Sequence, residues 1–200
     1  MEHYGGISLI ARIANACYRA MPWRVKNVLR VASLGMVCIA YAFSGCFSNS
    51  ERFQALVGRP LPDARLIMLD GSHHALRSQI GRPTAFLFWS TSCSFSRGAI
   101  KRFNELAETY KERTDLRFLA VSVDAESAIG DLESRIREQD LQAVEHVFSG
   151  NEGQDEVYLA FNGERIPYVV FVDERGIVRL AQMGLHGLEQ LLAERYSVPN

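Results

Sequence analysis

The sequence has 200 residues, of which 48% are hydrophobic and 22% are charged, and its formal net charge at pH 7 is -1. This length is enough for one hydrophobic core and short additional segments. The near-neutral charge and the lack of a Lys/Arg cluster argue against nucleic acid as a partner. Of the four cysteines, Cys17, Cys38 and Cys46 precede the globular part, which holds only Cys93. One thiol cannot pair within its own domain, so a disulfide-stapled scaffold is excluded.

An apolar stretch near the N-terminus indicates a targeting segment. Val31–Phe43 is strongly apolar and follows three basic residues, Arg24, Lys26 and Arg30. Its length suits the apolar part of a signal peptide, about 7–15 residues, better than a transmembrane helix of about 20 residues. The stretch ends in Phe-Ser-Gly-Cys46, which resembles the bacterial lipobox, where small residues precede a cysteine that becomes lipidated.

Three interpretations of this stretch stay open: a lipoprotein signal with Cys46 as the lipidated residue, an uncleaved membrane anchor, and a buried core helix. The first two leave the basic residues inside a cytoplasmic membrane and the following domain on its periplasmic or extracytoplasmic side. Read from Met21, residues 21–46 form a complete lipoprotein signal. We therefore interpret residues 1–20 as an upstream extension from a misassigned start codon. The alternative is an amphipathic segment before an uncleaved anchor.

The remainder of the chain divides into a tether at residues 47–56 and a folded domain at residues 57–200. A strand at Leu66–Leu69 and the turn dipeptide Asp70-Gly71 predict a hairpin. Thr84–Trp89 is a continuous apolar run, which suits a strand covered on both faces. Ser94–Glu112 has apolar residues at three- and four-residue spacing, which predicts an amphipathic helix.

The second half of the domain continues this alternation. Its predicted elements are strands at Leu116–Val123, Val147–Phe148, Tyr168–Asp173 and Ile177–Met183, and helices at Ser127–Gln139, Asp155–Phe161 and Leu185–Arg195. Strands that alternate with helices and then end in a hairpin and a helix predict an α/β fold. Its central sheet is mixed, with helices on both faces.

A cysteine lies between the buried strand and the amphipathic helix. Trp89 ends the strand, three residues follow, and Cys93 opens the helix. The N-terminus of a helix presents free N–H groups and a partial positive charge, so a thiol there loses its proton more easily. Arg97, in the first turn, adds to this effect. We predict that Cys93 is a nucleophile. The alternative is an inert, buried cysteine in a domain that has lost its chemistry.

Several short motifs follow one another in a specific order. They are Val57-Gly58-Arg59-Pro60-Leu61-Pro62-Asp63, Leu69-Asp70-Gly71, the Trp-x-x-x-Cys element, Val121-Ser122-Val123-Asp124, Ile166-Pro167 and Val172-Asp173-Glu174-Arg175-Gly176. Together they resemble the thioredoxin superfamily, specifically the membrane-tethered thiol-disulfide oxidoreductases called TlpA-like or redoxin proteins. The resemblance covers about Val57–Leu192 and implies a thioredoxin-like fold. It also implies that Pro167 is cis and faces the active-site cysteine, and that Ile166 offers backbone groups to an extended substrate.

The second position of the family's Cys-x-x-Cys motif is Ser96 in this sequence. In the dithiol mechanism, the first thiolate attacks a substrate disulfide and the second breaks the resulting mixed disulfide. Ser96 cannot perform that second step, although its hydroxyl can stabilise the Cys93 thiolate. We predict thiol-disulfide exchange through one thiol, with a protein or small-molecule thiol or disulfide as partner. Trp89 is the packing neighbour of the thiol, and Ile166-Pro167 bind the substrate.

Two other functions stay open. One is a non-catalytic protein that uses the same groove to bind an extended peptide or a redox partner. The other is a one-cysteine peroxidase, whose signature is Pro-x-x-x-Thr-x-x-Cys. Cys93 matches the cysteine and Ser90 stands at the threonine position, but Phe86 replaces the proline. His73-His74 does not predict a metal site, because adjacent residues of a strand point to opposite faces. We predict no metal and no cofactor.

Overall fold

The computed structural model describes residues 53–196, in which strands and helices follow the predicted order. The strands are β1 (Arg65–Ile67), β2 (His73–Ala75), β3 (Thr84–Trp89), β4 (Arg117–Ser122), β5 (Glu145–Phe148), β6 (Tyr168–Val172) and β7 (Val178–Met183). The α-helices are α1 (Ser94–Thr109), α2 (Ile129–Glu138), α3 (Glu156–Ala160) and α4 (His186–Arg195). The predicted α/β class is therefore confirmed.

The central sheet has five strands in the order β5-β4-β3-β6-β7. Strands β3, β4 and β5 are parallel to one another, whereas β6 is antiparallel to both β3 and β7. Strands β1 and β2 form the separate predicted hairpin. The sheet is mixed, as predicted, and β3 lies at its centre. The loop that follows β3 is consequently flanked by the loop after β4 and by the segment that enters β6.

Both faces of the sheet are covered, because alternate residues of each strand point to opposite faces. All residues of β3 are buried. Ala85, Leu87 and Trp89 belong to the core shared with α1, α2 and α4. Phe86 and Phe88 belong to the core shared with α3 and the segment before β1. This arrangement confirms helices on both faces and explains the uninterrupted apolar run in the sequence.

Some predicted boundaries differ from the structure. Helix α1 ends at Thr109, because the next residues form turns in which Arg113 N–H bonds the Tyr110 carbonyl at 2.9 Å. Helix α2 begins at Ile129, after a 3₁₀ turn at Glu126–Ala128. Phe53 lies in the predicted tether but is buried and stacks on Tyr168, with ring centroids 4.7 Å apart. The packed domain therefore includes Phe53.

The predicted extension, the targeting segment with Cys46 and the first part of the tether lie outside the described residues. Between residues 53 and 196, no helix has both the length and the apolar character needed to cross a membrane.

Candidate active site

Cys93 is the N-cap residue of α1. Its backbone is extended, with φ -87° and ψ 118°, and its carbonyl accepts the first helical hydrogen bond, from Arg97 N–H at 3.2 Å. The thiol is free and half-buried. The chain passes from the end of β3 to this position through Ser90–Ser92. The sulfur is therefore carried by a residue between a central buried strand and the free N–H groups of a helix.

The surroundings of Cys93 favour its thiolate. Burial disfavours the charged form, but this effect is outweighed by the Ser96 hydroxyl, the backbone N–H groups of Ser96 and Phe95, and the charge of Arg97. Together they hold the pKa of the Cys93 thiol below its ordinary value. The charge of Arg97 is the weakest of these contributions. The site therefore favours ionisation mainly through hydrogen bonding at the start of the helix.

Two polar atoms on residues close to Cys93 in the sequence are buried without a hydrogen-bond partner among the described residues, namely Ser96 Oγ and Trp89 Nε1. Both side chains are completely buried. A thiol is a weak acceptor, whereas a thiolate is a strong one, so the Ser96 hydroxyl gains a partner when Cys93 ionises. The buried Trp89 fits the predicted packing role, and its position leaves no exposed surface for direct contact with a substrate.

The three residues before Cys93 are held by a buried carboxylate, Asp124. Its oxygens accept hydrogen bonds from Ser90 Oγ at 2.6 Å, Thr91 N–H at 3.0 Å, Thr91 Oγ1 at 3.1 Å and Ser122 Oγ at 2.7 Å. Ser90 Oγ is in turn 2.8 Å from Ser92 Oγ. This network fixes the path of the chain into Cys93.

Asp124 is not among the site residues predicted from the sequence, although it ends the Val121-Ser122-Val123-Asp124 motif. A signal was available, because polar residues follow both β3 and β4. The carboxyl ends of parallel neighbours meet at one edge of a sheet, where open α/β sheets place their ligand sites.

Arg97 folds back over this loop, with its guanidinium Nη1 at 3.5 Å from the Thr91 carbonyl. Phe95, in the same helical turn, is 80% exposed. The first turn of α1 therefore presents one cation and one bare aromatic ring beside the thiol.

The Ile166-Pro167 bond is cis, which is the isomer that the resemblance implies. Phe88 of β3 pairs with Tyr168, the first residue of β6, so Pro167 lies next to the end of β3 from which the Cys93 loop leaves. Ile166 is half-buried. The structure thus brings the two predicted substrate-binding residues to the same end of the sheet as Cys93.

The paired histidines lie away from this end of the sheet, on β2. Both are exposed, and Nε2 of His74 is 3.2 Å from Ser72 Oγ. In the described part of the chain, no three His, Cys, Asp or Glu side chains are grouped so that they could hold a metal ion.

Comparisons with known proteins agree with this fold. A model of the AhpC/TSA family matches residues 57–181. The structure is similar to the thioredoxin domain of a thiol-disulfide oxidoreductase from Bacteroides vulgatus, with a TM-score of 0.57, 20% identity, and coverage of 69% of this chain and 96% of that one. A thiol-disulfide oxidoreductase from Bacteroides fragilis gives a TM-score of 0.61 and 17% identity, covering 68% and 98%.

A third similar structure is a secreted disulfide oxidoreductase from Mycobacterium tuberculosis, with a TM-score of 0.52, 18% identity, and coverage of 65% and 94%. No curated protein matches the chain. At these identities the solved structures show the fold alone, and they confirm the thioredoxin-like architecture.

Proposed function

The chain belongs to the AhpC/TSA family, and from this premise we propose that it performs thiol-disulfide exchange through the single thiol of Cys93. The observation that carries the proposal is the position of Cys93, half-buried at the N-terminus of α1 with its pKa held below the ordinary value. A thiolate in such a position is a nucleophile toward disulfide sulfur.

The exchange step needs one protein sulfur. The Cys93 thiolate attacks one sulfur of a client disulfide, a new S–S bond forms, the client S–S bond breaks, and the second client sulfur leaves as a thiolate. Ser96 has no sulfur to break the mixed disulfide, and Cys93 is the one cysteine within the folded domain. Release therefore requires a thiol from outside the folded domain. Ser96 and Arg97 act on the Cys93 pKa, and an extended client segment lies along Ile166-Pro167.

A non-catalytic peptide-binding role is the second candidate, because Phe95 is 80% exposed next to the thiol. An exposed aromatic ring in the same helical turn as the thiol suits an apolar peptide side chain. In this role Cys93 is inert or holds its partner in a lasting mixed disulfide.

Peroxidase chemistry is less favoured by the same site. A peroxide at Cys93 needs nearby donors for its oxygens, and Ser90 matches the position of the threonine in the peroxidase signature. The Ser90 hydroxyl already donates to Asp124 at 2.6 Å. It is therefore not free to bind a peroxide in this conformation.

We place the domain on the outer face of a cytoplasmic membrane, held by a lipidated Cys46 or an uncleaved anchor. The basic residues before Val31 and the apolar stretch after them support this location. The intact mass of membrane-extracted protein tests the lipoprotein form, which begins at Cys46. A species that retains residues 31–45 contradicts it and leaves the uncleaved anchor.

The pH dependence of Cys93 alkylation tests the function. The experiment uses the full chain with Cys17, Cys38 and Cys46 changed to Ser, so that one thiol is observed. A midpoint below about 8.5, the usual value for a cysteine, supports a working nucleophile. A midpoint above that value, or no reaction in the folded protein, contradicts exchange chemistry and leaves the binding role.

A further inference from the structure

A polar cleft of about 520 Å³ lies beside the Cys93 loop. Its walls come from the loop after β3, the loop after β4 and one side of α2. The charged and loop residues that define it are Ser92, Asp124, Asp131, Arg135, Glu138 and Glu152. The α2 residues among them recur at four- and three-residue spacing, so they share one face of the helix. A volume of this size is within the range of small-molecule sites, about 300–1,000 Å³.

Arg135 is the one basic residue that lines the cleft. Its Nε is buried and has no hydrogen-bond partner within residues 53–196, and its guanidinium forms no ion pair there. Arg137, two residues later on α2, pairs instead with Glu133 at 3.7 Å. The rest of its guanidinium lines the cleft and, without an ion-pair partner among the described residues, is available to a bound carboxylate.

Carboxylates line the same cleft. Asp131, Glu138 and Glu152 line the cleft and form no ion pairs among the described residues. The cleft therefore presents one unpaired cation and three unpaired anions within one small volume. A ligand that carries both a carboxylate and an ammonium group complements this pattern, whereas a simple anion or a simple cation meets repulsion from one part of it.

The position of the cleft relative to Cys93 indicates what such a ligand does. Strand β3 lies between β4 and β6, so the cleft is on the β4 side of the Cys93 loop and Ile166-Pro167 are on the β6 side. Displacement at a disulfide sulfur is in line, with the attacking thiolate opposite the leaving sulfur. Ser90, Thr91 and Ser92, which lead into Cys93, line the cleft, whereas Cys93 itself does not. A thiolate carried by a ligand in the cleft must therefore reach the Cys93 sulfur past Ser92, from the side opposite Ile166-Pro167.

We propose that the cleft binds a low-molecular-weight thiol with an amino-acid end, such as cysteine or a short cysteine peptide, and that this thiol releases the client from Cys93. The proposal rests on the exchange function proposed above. The small thiolate attacks the Cys93 sulfur of the mixed disulfide, forms a bond with it and expels the client thiolate. A second small thiolate then attacks the small-thiol sulfur, which gives the small-molecule disulfide and the free Cys93 thiolate.

Binding is tested on the full chain with S-methylglutathione, a thioether that cannot react with Cys93. Calorimetric titration should show binding that weakens at least about tenfold in Arg135→Gln and changes less than about twofold in the matched control Arg137→Gln. The diethyl ester of the probe, which lacks both carboxylates, should bind as weakly to the parent as the probe binds to Arg135→Gln. Equal affinities in parent and Arg135→Gln, or no binding to the parent, would overturn the proposal.

A kinetic experiment tests the role of the ligand. The variant that retains only Cys93 is treated with 5,5′-dithiobis(2-nitrobenzoate), whose disulfide exchanges with Cys93 to give the mixed disulfide with 2-nitro-5-thiobenzoate and one equivalent of free thiolate. After the free thiolate is removed, release of the coloured thiolate from the mixed disulfide is followed. Release by L-cysteine should saturate with concentration and slow at least about tenfold in Arg135→Gln, whereas release by 2-mercaptoethanol should be the same in both proteins. Equal slowing for both thiols, or none, overturns the assignment of the cleft as the thiol site.

The two proposals fail separately. If Cys93 is inert to alkylation but S-methylglutathione still binds in an Arg135-dependent way, the exchange function is wrong and the site itself is supported. If Cys93 is reactive but the probe does not bind, the cleft proposal alone is wrong.

Discussion

The two sides of Cys93 satisfy their polar groups differently. On the N-terminal side, Ser90, Thr91 and Ser122 all donate to the buried Asp124. On the C-terminal side, Ser96 Oγ is just as deeply buried but has no partner within the described residues. The polar groups on one side of the thiol are thus all hydrogen-bonded, whereas the other side has a donor that is not yet paired.

This difference suggests a division of roles. The Asp124 network holds the loop in place whichever protonation state Cys93 has, so it determines where the sulfur lies. The Ser96 hydroxyl finds an acceptor only when the sulfur is ionised, so it influences how readily the thiol loses its proton. Changes on the Asp124 side should therefore affect stability first, and changes on the Ser96 side should affect reactivity first.

Asp124→Ala should have the largest effect. It leaves several buried donors without an acceptor, so the free energy of unfolding should fall by about 3 kcal/mol or more. Urea denaturation monitored by fluorescence measures this change. Asp131→Ala is the matched control, because that carboxylate is exposed and forms no ion pair in the described structure, and its effect should stay within about 0.5 kcal/mol. Similar losses in the two variants would mean that Asp124 does not hold the loop.

Ser96→Cys should add a second thiol to the site and so give it a working dithiol. We expect an internal disulfide with Cys93 under mild oxidation and at least about tenfold higher turnover in a disulfide-reduction assay, because the second thiol can break the mixed disulfide. Thiol counting and mass spectrometry detect the disulfide. Thr109→Cys, at the exposed far end of α1, supplies a control thiol that should give neither result. Failure of Ser96→Cys to form the disulfide would favour the binding role.

Ser96→Ala should separate reactivity from stability. Loss of the hydroxyl should raise the pKa of Cys93 toward its ordinary value, because the thiolate loses the strongest of the groups that lower it. Thiolate reactivity is then confined to higher pH, which the alkylation midpoint reports. The free energy of unfolding should change by less than about 1 kcal/mol, because the deleted hydroxyl had no partner to lose. A large loss of stability with an unchanged midpoint would reverse the roles assigned to the two sides.

Arg97→Gln should have the smallest effect. The charge of Arg97 contributes least to lowering the pKa of Cys93, so the alkylation midpoint should rise less than in Ser96→Ala. Added salt should reduce the difference between parent and variant, since the contribution is a screened charge interaction. Arg102→Gln is the control on the same helix, because Arg102 instead pairs with Glu189 at 2.5 Å. A larger shift than that of Ser96→Ala would make charge, rather than hydrogen bonding, the main stabiliser of the thiolate.

Most of the fold could be predicted because the pattern of apolar and polar residues within each strand or helix is sufficient to indicate that element. The run Thr84–Trp89 is apolar at every position after Thr84 and is buried at every position, and β3 has the predicted ends. The predicted ends of helices were wrong where exposed polar residues allow either a helix or a turn, as after Thr109. Phe53 was assigned to a tether because its stacking on Tyr168 joins residues more than a hundred positions apart, and local pattern carries no information about such a contact.

The sequence by itself determined the candidate nucleophile Cys93, its place between a buried strand and a helix, and the presence of Ser96 at the second position of the motif. These follow from residue types and spacing along one short segment. Only the tertiary structure decided that Asp124 holds that segment and that Arg135 faces a cleft without a partner. Asp124 lies 31 residues after Cys93, and Arg135 lies one helix further on. They reach the Cys93 loop because β3 and β4 pair in parallel, which brings the carboxyl ends of both strands to one edge of the sheet.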